Sequence, residues 1–434
     1  MRIAELTRVR SFGIHISVKR RIQGDIRPNP GGNTTQVVLI GIGGYGRGYV
    51  VAMQEMQAAG QARLAAVVDP MAEESPDWPA LAAAGTVRVN TVEEFLATGG
   101  TADLAVISSP IAFHADQTCA ALGAGINVLC EKPMTARVAD AKRMLDARDA
   151  SGKFLEIGYQ WSFSEAVQAL KTDIMAGRLG APQQFRTWVA WPRASSYYRR
   201  NSWAGRIRDG SGRWVYDSPA NNATAHFLHH MFYLLGPKTH LSATPTAVTA
   251  ECYRANRIEN FDAVCCRVET HEHVDILFYS AHCVQNRIGP LFRFDFDEAV
   301  VSIEQESEVV ARFRGGHEKR YGNPGQGARI LKLKHSLDRC QAPGGGNTLC
   351  GPEAAFAQTL SINGLQQMPV HDFPPSLRLQ KDVGNNEILT YVPDLEESMR
   401  RGCEQGQLFS EMNLPWAGTA HRVRVPEDIP DTKY

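Results

Sequence analysis

Four aliphatic residues, Val37-Val-Leu-Ile40, run straight into Gly41-Ile42-Gly43-Gly44-Tyr45-Gly46, and a helix-like stretch follows to about Ala59. That order constrains the chain more than any other feature. A short aliphatic run without polar alternation reads as a strand covered on both faces, as in a parallel sheet. A parallel strand needs a crossover, and a helix opening at the glycines supplies one. Glycines at that point let the backbone N–H groups of the helix start approach an anion, where the helix dipole is positive. The next strand, Leu64-Ala-Ala-Val-Val68, ends at Asp69, whose carboxylate can accept both hydroxyls of a ribose. Pro70 and Met71 come next, so no adjacent cation receives a 2′-phosphate. The strand, the glycines and the acid together form a dinucleotide fingerprint, and the unopposed carboxylate selects NAD over NADP.

The alternation continues. Thr86–Asn90 reads as a strand, and Thr91-Val-Glu-Glu94 is a capping box that opens a helix. Leu104-Ala-Val-Ile107 is a buried strand, followed by a helix from His114 to about Leu122 that Gly123 and Gly125 end. Asn127-Val-Leu-Cys130, a helix over 138–150 and a strand over 154–157 complete the series. Strands alternating with helices predict a Rossmann-type doubly wound parallel sheet. After Gly158 the texture changes: a helix from Ser164 to about Met175 precedes strand-like runs at 185–190, 263–269, 274–280, 292–296 and 308–313. Their alternation predicts a large, mostly antiparallel open sheet with one covered face, in an α+β second domain. Residues 315–345 and 374–386 read as loop-rich. The expected division is a basic tail and linker over 1–36, the NAD-binding domain over 37–158, an α+β substrate and oligomerisation domain over 159–413, and a C-terminal tail over 414–434.

The 434 residues hold 46 Lys+Arg and 46 Asp+Glu, a balance that gives no general pull toward nucleic acid or an anionic membrane. No apolar run approaches the roughly 20 residues that span a bilayer. Nine cysteines, an odd number with no Cys-x-x-Cys, read as a reduced, cytoplasmic pattern. Adjacent Cys265 and Cys266 read as strand residues with one facing inward.

Several residues could carry chemistry. Ser108-Ser109-Pro110 and His114 follow one parallel strand, and Glu131-Lys132-Pro133 follows the next on the same sheet edge, where ligands gather in such folds. A desolvated lysine there can have its pKa lowered toward neutrality and exchange a proton with a hydroxyl. His226, His229 and His230 share a helix, but no H-E-x-x-H accompanies them and no metal is expected. Trp188, Trp191, Tyr197, Tyr198, Arg199, Arg200 and Trp203 suit sugar faces and hydroxyls, and are equally ordinary core residues.

The fingerprint, Asp69, Ser-Pro-x-x-x-His and Glu-Lys-Pro, in this order, make the chain resemble the glucose–fructose oxidoreductase/inositol dehydrogenase (Gfo/Idh/MocA) family. The resemblance implies oxidation or reduction at a hydroxyl-bearing carbon of a sugar, inositol or related polyol, and often a homo-oligomer. It implies that Lys132 is the catalytic lysine, that Gly158-Tyr-Gln160 borders the nicotinamide, and that His226 is the family histidine. The acid expected four residues before that histidine is Asn222 here, and Asp217 is the nearest alternative charge. Ser162 stands where the family often has Arg, and Ile111 where it often has Asn. The leading expectation is an NAD-dependent dehydrogenase with Lys132 as acid/base, His226 relaying the proton and Asn222 positioning the substrate oxygen. Redox-assisted elimination with retained NAD, and a non-catalytic NAD or sugar sensor, are the rivals.

Overall fold

The computed structural model describes residues 34–304, 307–342 and 348–425. The first unit runs β1 (Thr35–Ile40), α1 (Arg47–Ala58), β2 (Ala62–Val68), α2 (Trp78–Ala83), β3 (Val87–Val89), α3 (Val92–Ala97), β4 (Leu104–Ile107), α4 (His114–Gly123), β5 (Asn127–Cys130), α5 (Val138–Ser151) and β6 (Leu155–Ile157). All six strands are parallel, in the order β3-β2-β1-β4-β5-β6. The order reverses between β1 and β4, which opens a crevice at their C-terminal ends. The N-cap half of the expected capping box forms, with Thr91 Oγ1 accepting the Glu94 N–H at 3.1 Å, while the Glu94 carboxylate reaches one residue further back than expected, to the Asn90 N–H at 2.8 Å.

The second unit begins with α6 (Glu165–Met175), β7 (Pro182–Ala190), α7 (Ser195–Arg199), α8 (Ala225–Leu235), β8 (Pro245–Arg254), β9 (Ala263–Thr270) and β10 (Asp275–Ala281). It continues with β11 (Ile288–Phe296), β12 (Ala299–Glu304), β13 (Val309–Phe313), β14 (Glu318–Gly322), α9 (Ala328–Gln341), α10 (Pro352–Leu365), β15 (Val370–Asp372), β16 (Leu379–Asp382), β17 (Ile388–Tyr391), α11 (Leu395–Gln405) and β18 (His421–Arg424). The large sheet is ordered β14-β13-β12-β11-β7-β10-β9-β8-β15, and β18 shares the outer edge of β8 with β15. It is mostly antiparallel. The β7–β10 and β8–β15 pairs are parallel.

Four sequence expectations change. His421–Arg424, expected in the C-terminal tail, is a strand, because β8 leaves an edge whose backbone groups need partners. Thr35 and Gln36 belong to β1 rather than to the linker; the rest of the expected N-terminal tail lies outside the described residues, apart from Thr34. The middle of the large sheet is covered on both faces. α8 and α10 pack on one side, while α11 with Leu408, Phe409 and Trp416 covers Trp188, Tyr253, Leu277 and Tyr279 on the other. Cys265 and Cys266 are therefore both fully buried, one on each side. Finally, the loop expected over 315–345 contains a 14-residue helix, α9, which returns to the first unit and packs Leu333 and Leu337 against α1 and the parallel sheet.

No helix among the described residues is long and apolar enough to cross a membrane.

Candidate active site

Each functional turn of the parallel sheet is pinned by one further rung of the ladder. Gly41 N–H donates to Val68 O, Asp69 N–H to Val89 O, Ser108 N–H to Ile40 O, Glu131 N–H to Ile107 O and Gly158 N–H to Cys130 O, at 2.7–3.1 Å. Five separate sequence segments thus leave the sheet in one row, at fixed spacing. A row like this is what a rigid scaffold contributes to a site built on loops.

The glycine turn is shaped by close approach. A Cβ on Gly46 would sit 2.2 Å from the Gly41 carbonyl oxygen, and one on Gly41 (φ +84°) would meet the Ser108 backbone at 2.9 Å. Gly43 and Gly44 face open space, with nothing within 4 Å. The hydroxyl of Ser108, beside Gly46, is buried without a hydrogen-bond partner. A bare, open turn at the start of a helix, with an unsatisfied hydroxyl in its wall, fits the pyrophosphate of a dinucleotide. Asp69 accepts the Ile42 N–H and the Met71 N–H, each at 2.9 Å, which leaves carboxylate lone pairs for ribose hydroxyls. Arg88 on β3 donates to Pro70 O at 2.9 Å, a neighbour of Asp69 that sequence reading missed, and its two terminal nitrogens also meet Glu73 and Asn90. Asp69→Asn keeps one of the two turn contacts, since an amide has a single acceptor oxygen, and removes the charge. We expect it to weaken NAD binding by about tenfold or more, since hydrogen bonds to a charged group contribute about 1.5–3 kcal/mol. Calorimetric titration with NAD and NADP checks this, and equal affinity of the unaltered protein for the two would overturn the role given to Asp69.

Ser109, Pro110 and His114 play a different part from Ser108. Ser109 donates its hydroxyl to Gln117 at 2.5 Å. His114 is buried, with its ring nitrogens 2.9 Å from Pro133 O and from Ser109 O. Its side chain is used up in tying the β4 loop to the Lys132-Pro133 segment, so it positions the site rather than facing a ligand. Burial pushes its pKa down.

Lys132 occupies the centre. Its Nζ donates to the backbone carbonyl of Asn222 at 2.6 Å. Burial, helped by Lys332 and opposed by Glu131 and Asp217, lowers its pKa to about 8. Asn222 therefore serves Lys132 through its main chain. Its side-chain amide is turned to Asp217, 2.7 Å from Oδ1. Asp217, buried, also accepts the Gly205 N–H at 2.6 Å and has the Arg200 guanidinium 3.9 Å away. Burial raises its pKa despite these partners. Tyr216, just before it, has φ +48°, a strained conformation for a large residue, held where the chain turns into the site.

His226, in the first turn of α8, is half-buried and meets Tyr159 edge-on at 5.9 Å. Burial first and Lys132 second press its pKa well below the ordinary value, so it is a neutral imidazole. Its Nδ1 is buried without a partner. The other two histidines are placed elsewhere: His229 stacks on Tyr159 at 3.8 Å and meets the Ser162 hydroxyl at 3.0 Å, while His230 lies among Trp161, Phe292 and Phe294. Among the described residues, no group of three or more His, Cys, Asp and Glu is arranged to hold a metal ion.

Under Lys132 lies a charge pair that the sequence did not reveal. Glu131, buried, accepts a hydrogen bond from Tyr49 at 2.5 Å and is ion-paired with Lys332 of α9. Lys332 also reaches Tyr45 at 3.2 Å, and Tyr45 donates to Gln160 at 3.0 Å. Gly158 completes the packing, since a Cβ there would lie 3.0 Å from the Glu131 carboxylate. Tyr45, Glu131 and Gln160, all expected at the cofactor, are thus joined in one network by a residue some 200 positions away. The signal available was the spacing of Ile330, Leu333, Leu337 and Cys340, which repeats at helical intervals.

Residues 35–159 match the model of the Gfo/Idh/MocA oxidoreductase family, its NAD-binding Rossmann fold. The first domain is thus similar to the NAD-binding domain of that family. It is similar to an inositol 2-dehydrogenase of Streptomyces avermitilis, 31% identical over 147 residues, which are 34% of this chain and 42% of that protein. The rhizopine catabolism protein MocA of Rhizobium meliloti is 30% identical over 33% of this chain and 43% of its own length. The chain thus spans less than half the length of these curated relatives. Likeness of fold reaches further. The WlbA dehydrogenase of Bordetella pertussis, solved with NADH and UDP-GlcNAcA, aligns with a TM-score of 0.63 over 77% of this chain and 95% of its own, at 19% identity. A levoglucosan dehydrogenase solved with NADH and levoglucosan gives 0.62 over 77% and 97%, at 16% identity. Both extend the shared architecture into the large-sheet unit. In this family the matched domain is an NAD-binding one, in keeping with the open glycine turn and Asp69.

Proposed function

We propose that this chain is an NAD-dependent dehydrogenase that oxidises a hydroxyl-bearing carbon of a sugar, inositol or related polyol, with Lys132 as the acid/base. One observation carries the reading. A half-buried lysine with its pKa lowered to about 8 projects from the same row of strand ends as the dinucleotide turn, and its Nζ is fixed by a main-chain carbonyl.

Bound NAD supplies the acceptor for the hydride that leaves the carbinol carbon. The chain's own residues handle the other product of the oxidation, the hydroxyl proton. Neutral Lys132 takes that proton, so the alcohol becomes a carbonyl as the hydride departs. The Asn222 carbonyl aims the amine, and Asp217, one side-chain amide away, favours the ammonium that forms. His226 is the residue we assign to relay that proton; burial and Lys132 disfavour its charged form, so it would take up one proton as it releases another. Relatives named as inositol 2-dehydrogenases and as a 3-reductase of a dTDP-linked deoxy sugar support the substrate class.

The test is direct. Purified protein with NAD and a panel of inositols, aldoses, sugar acids and glycosides is followed by nicotinamide absorbance and product analysis. Reduction of NAD with formation of a carbonyl product supports the reading. Glycoside cleavage without net reduction replaces it with redox-assisted elimination.

The pH dependence has a definite sign. Oxidation needs Lys132 unprotonated, so kcat/KM for the alcohol rises with pH through about 8 and levels above it. In the reverse direction the protonated form is needed, and the rate falls through the same midpoint. A profile that is flat across this range in both directions removes Lys132 from the proton transfer.

A further inference from the structure

Between the end of β7 and Trp214 the chain carries six arginines, Arg193, Arg199, Arg200, Arg206, Arg208 and Arg213, against one acid, Asp209. In a chain of zero formal charge this is a marked local excess. Some of it is neutralised or stacked in place: Arg199 lies 3.4 Å from Glu387, Arg200 covers the Tyr197 ring at 3.6 Å, and Arg208 covers Trp214 at 3.6 Å. Arg206 is different. It lines a cavity of about 340 Å³ together with Tyr198, Arg199, Gly205, Arg257 and Glu259. Arg206 and Arg257 are both exposed, and among the described residues neither forms an ion pair. The nearest acid of the wall, Glu259, accepts the Ile207 N–H at 3.0 Å.

The cavity is built, not incidental. Of its three arginines, the two outside ion pairs, Arg206 and Arg257, come from separate segments, the 200–217 loop and the β8–β9 turn, and the segments are stitched together. Gly205 O accepts the N–H groups of Glu259 at 3.1 Å and Asn260 at 2.9 Å. Arg254 donates to Ile258 O and Glu259 O at 3.1 and 2.8 Å. Buried Asp262 accepts the N–H groups of Ala255 and Asn256, both at 2.9 Å, and so closes the turn from within. A Cβ on Gly205 (φ +71°) would lie 2.8 Å from Ile258, so the wall admits no larger residue there. Two cations that line one cavity repel each other until an anion joins them, and guanidiniums match the oxygen geometry of phosphate or carboxylate. Preorganisation of the frame spares the ordering cost on binding.

The cavity also backs onto the acid/base site. Gly205, in its wall, donates to Asp217, Asp217 accepts from the Asn222 amide, and the Asn222 carbonyl holds Lys132. The Asp217 N–H in turn donates to the carbonyl of Arg206 at 2.8 Å. From this arrangement we infer that the cavity between Arg206 and Arg257 binds an anionic group, a phosphate ester or carboxylate, borne by the substrate whose hydroxyl meets Lys132. This rests on the dehydrogenase reading for the reacting hydroxyl, but the anion site itself does not depend on it.

Inorganic phosphate is the probe. Calorimetric titration of the full chain with phosphate, at constant ionic strength set by chloride, is expected to show saturable binding. Arg206→Ala/Arg257→Ala is expected to weaken that binding at least tenfold while NAD affinity stays unchanged, which reports an intact fold. No saturable binding, or equal binding by the double variant, overturns the site. Competition between phosphate and the substrate supports a substrate-borne anion, whereas phosphate that binds without raising substrate KM makes it a free effector and overturns that half. If no alcohol is oxidised and phosphate still binds, the reaction assignment falls and the anion site stands.

Discussion

Lys132→Ala is expected to lower turnover by about a hundredfold to ten-thousandfold, the usual worth of a positioned general acid/base, while NAD affinity changes little. The separation follows from geometry. The residues that would hold the dinucleotide, the glycine turn, Ser108 and Asp69, hydrogen-bond to the parallel sheet and to one another's turns and not to Lys132. The Nζ of Lys132 instead faces the Asn222 carbonyl across the domain boundary. Removing the amine therefore leaves the cofactor site intact and deprives the reacting hydroxyl of its base. Steady-state kinetics with NAD titration checks this, and Lys132→Arg sharpens it. Arginine keeps the charge but cannot lose its proton near neutral pH, so it should be as inactive as alanine. A parallel loss of turnover and NAD affinity would mean that the lysine serves binding, and full activity of either variant would favour the sensor reading.

How far the sequence reveals this site depends on what each residue interacts with. The first domain was legible because its signals are local: a buried strand, glycines that only a close backbone approach requires, a capping box within four residues. Gly41, Asp69, Ser108, Glu131 and Gly158 could each be placed at a strand end, and parallel topology then brings them to one edge. The large-sheet unit was less legible. α10 is buried almost all round, so it shows no amphipathic period. β9 and β10 are covered on both faces by α8 and α11, which blurs the alternation that marks a half-buried strand. At the site itself, the sequence put Asn222 on the substrate oxygen, whereas the structure turns its amide to Asp217 and gives its carbonyl to Lys132. That distinction lies in a backbone conformation, set by Tyr216 and the Arg206–Asp217 hydrogen bond, and side-chain chemistry does not encode it. The counter-charge of Glu131 was invisible for a simpler reason. It comes from α9, and nothing local to Glu-Lys-Pro indicates which distant lysine will arrive.

That lysine has the largest expected effect on stability. Lys332 is fully buried, and its pKa is held up, against the cost of burial, by Glu131 and Tyr45. α9 supplies more than one such partner: one turn on, Ser336 donates to buried Glu156 at 2.6 Å, and His335 Nδ1 stands 2.7 Å from the same carboxylate. The helix thus carries the polar partners of two carboxylates beneath the parallel sheet, while Leu333 and Leu337 attach it to α1. Lys332→Met keeps the packing and removes the charge, which leaves Glu131 buried with Tyr49 and main-chain donors alone. Breaking a buried pair from one side costs about 3–5 kcal/mol, whereas replacing both partners by neutral groups is often near neutral. Lys332→Met is therefore expected to lower the denaturation midpoint markedly, and Glu131→Gln/Lys332→Met to recover most of the loss. Chemical denaturation of the two single variants and the double variant measures the coupling. If the double variant lost as much as the sum of the singles, the pair would not be coupled. The same cycle reads the active site: without Lys332, the buried charge of Glu131 acts on Lys132 unopposed, so the kcat/KM midpoint should move upward from about 8 in Lys332→Met and return toward it in the double variant. A midpoint that stayed in place in all three would confine Lys332 to stability and leave the tuning of Lys132 to burial alone.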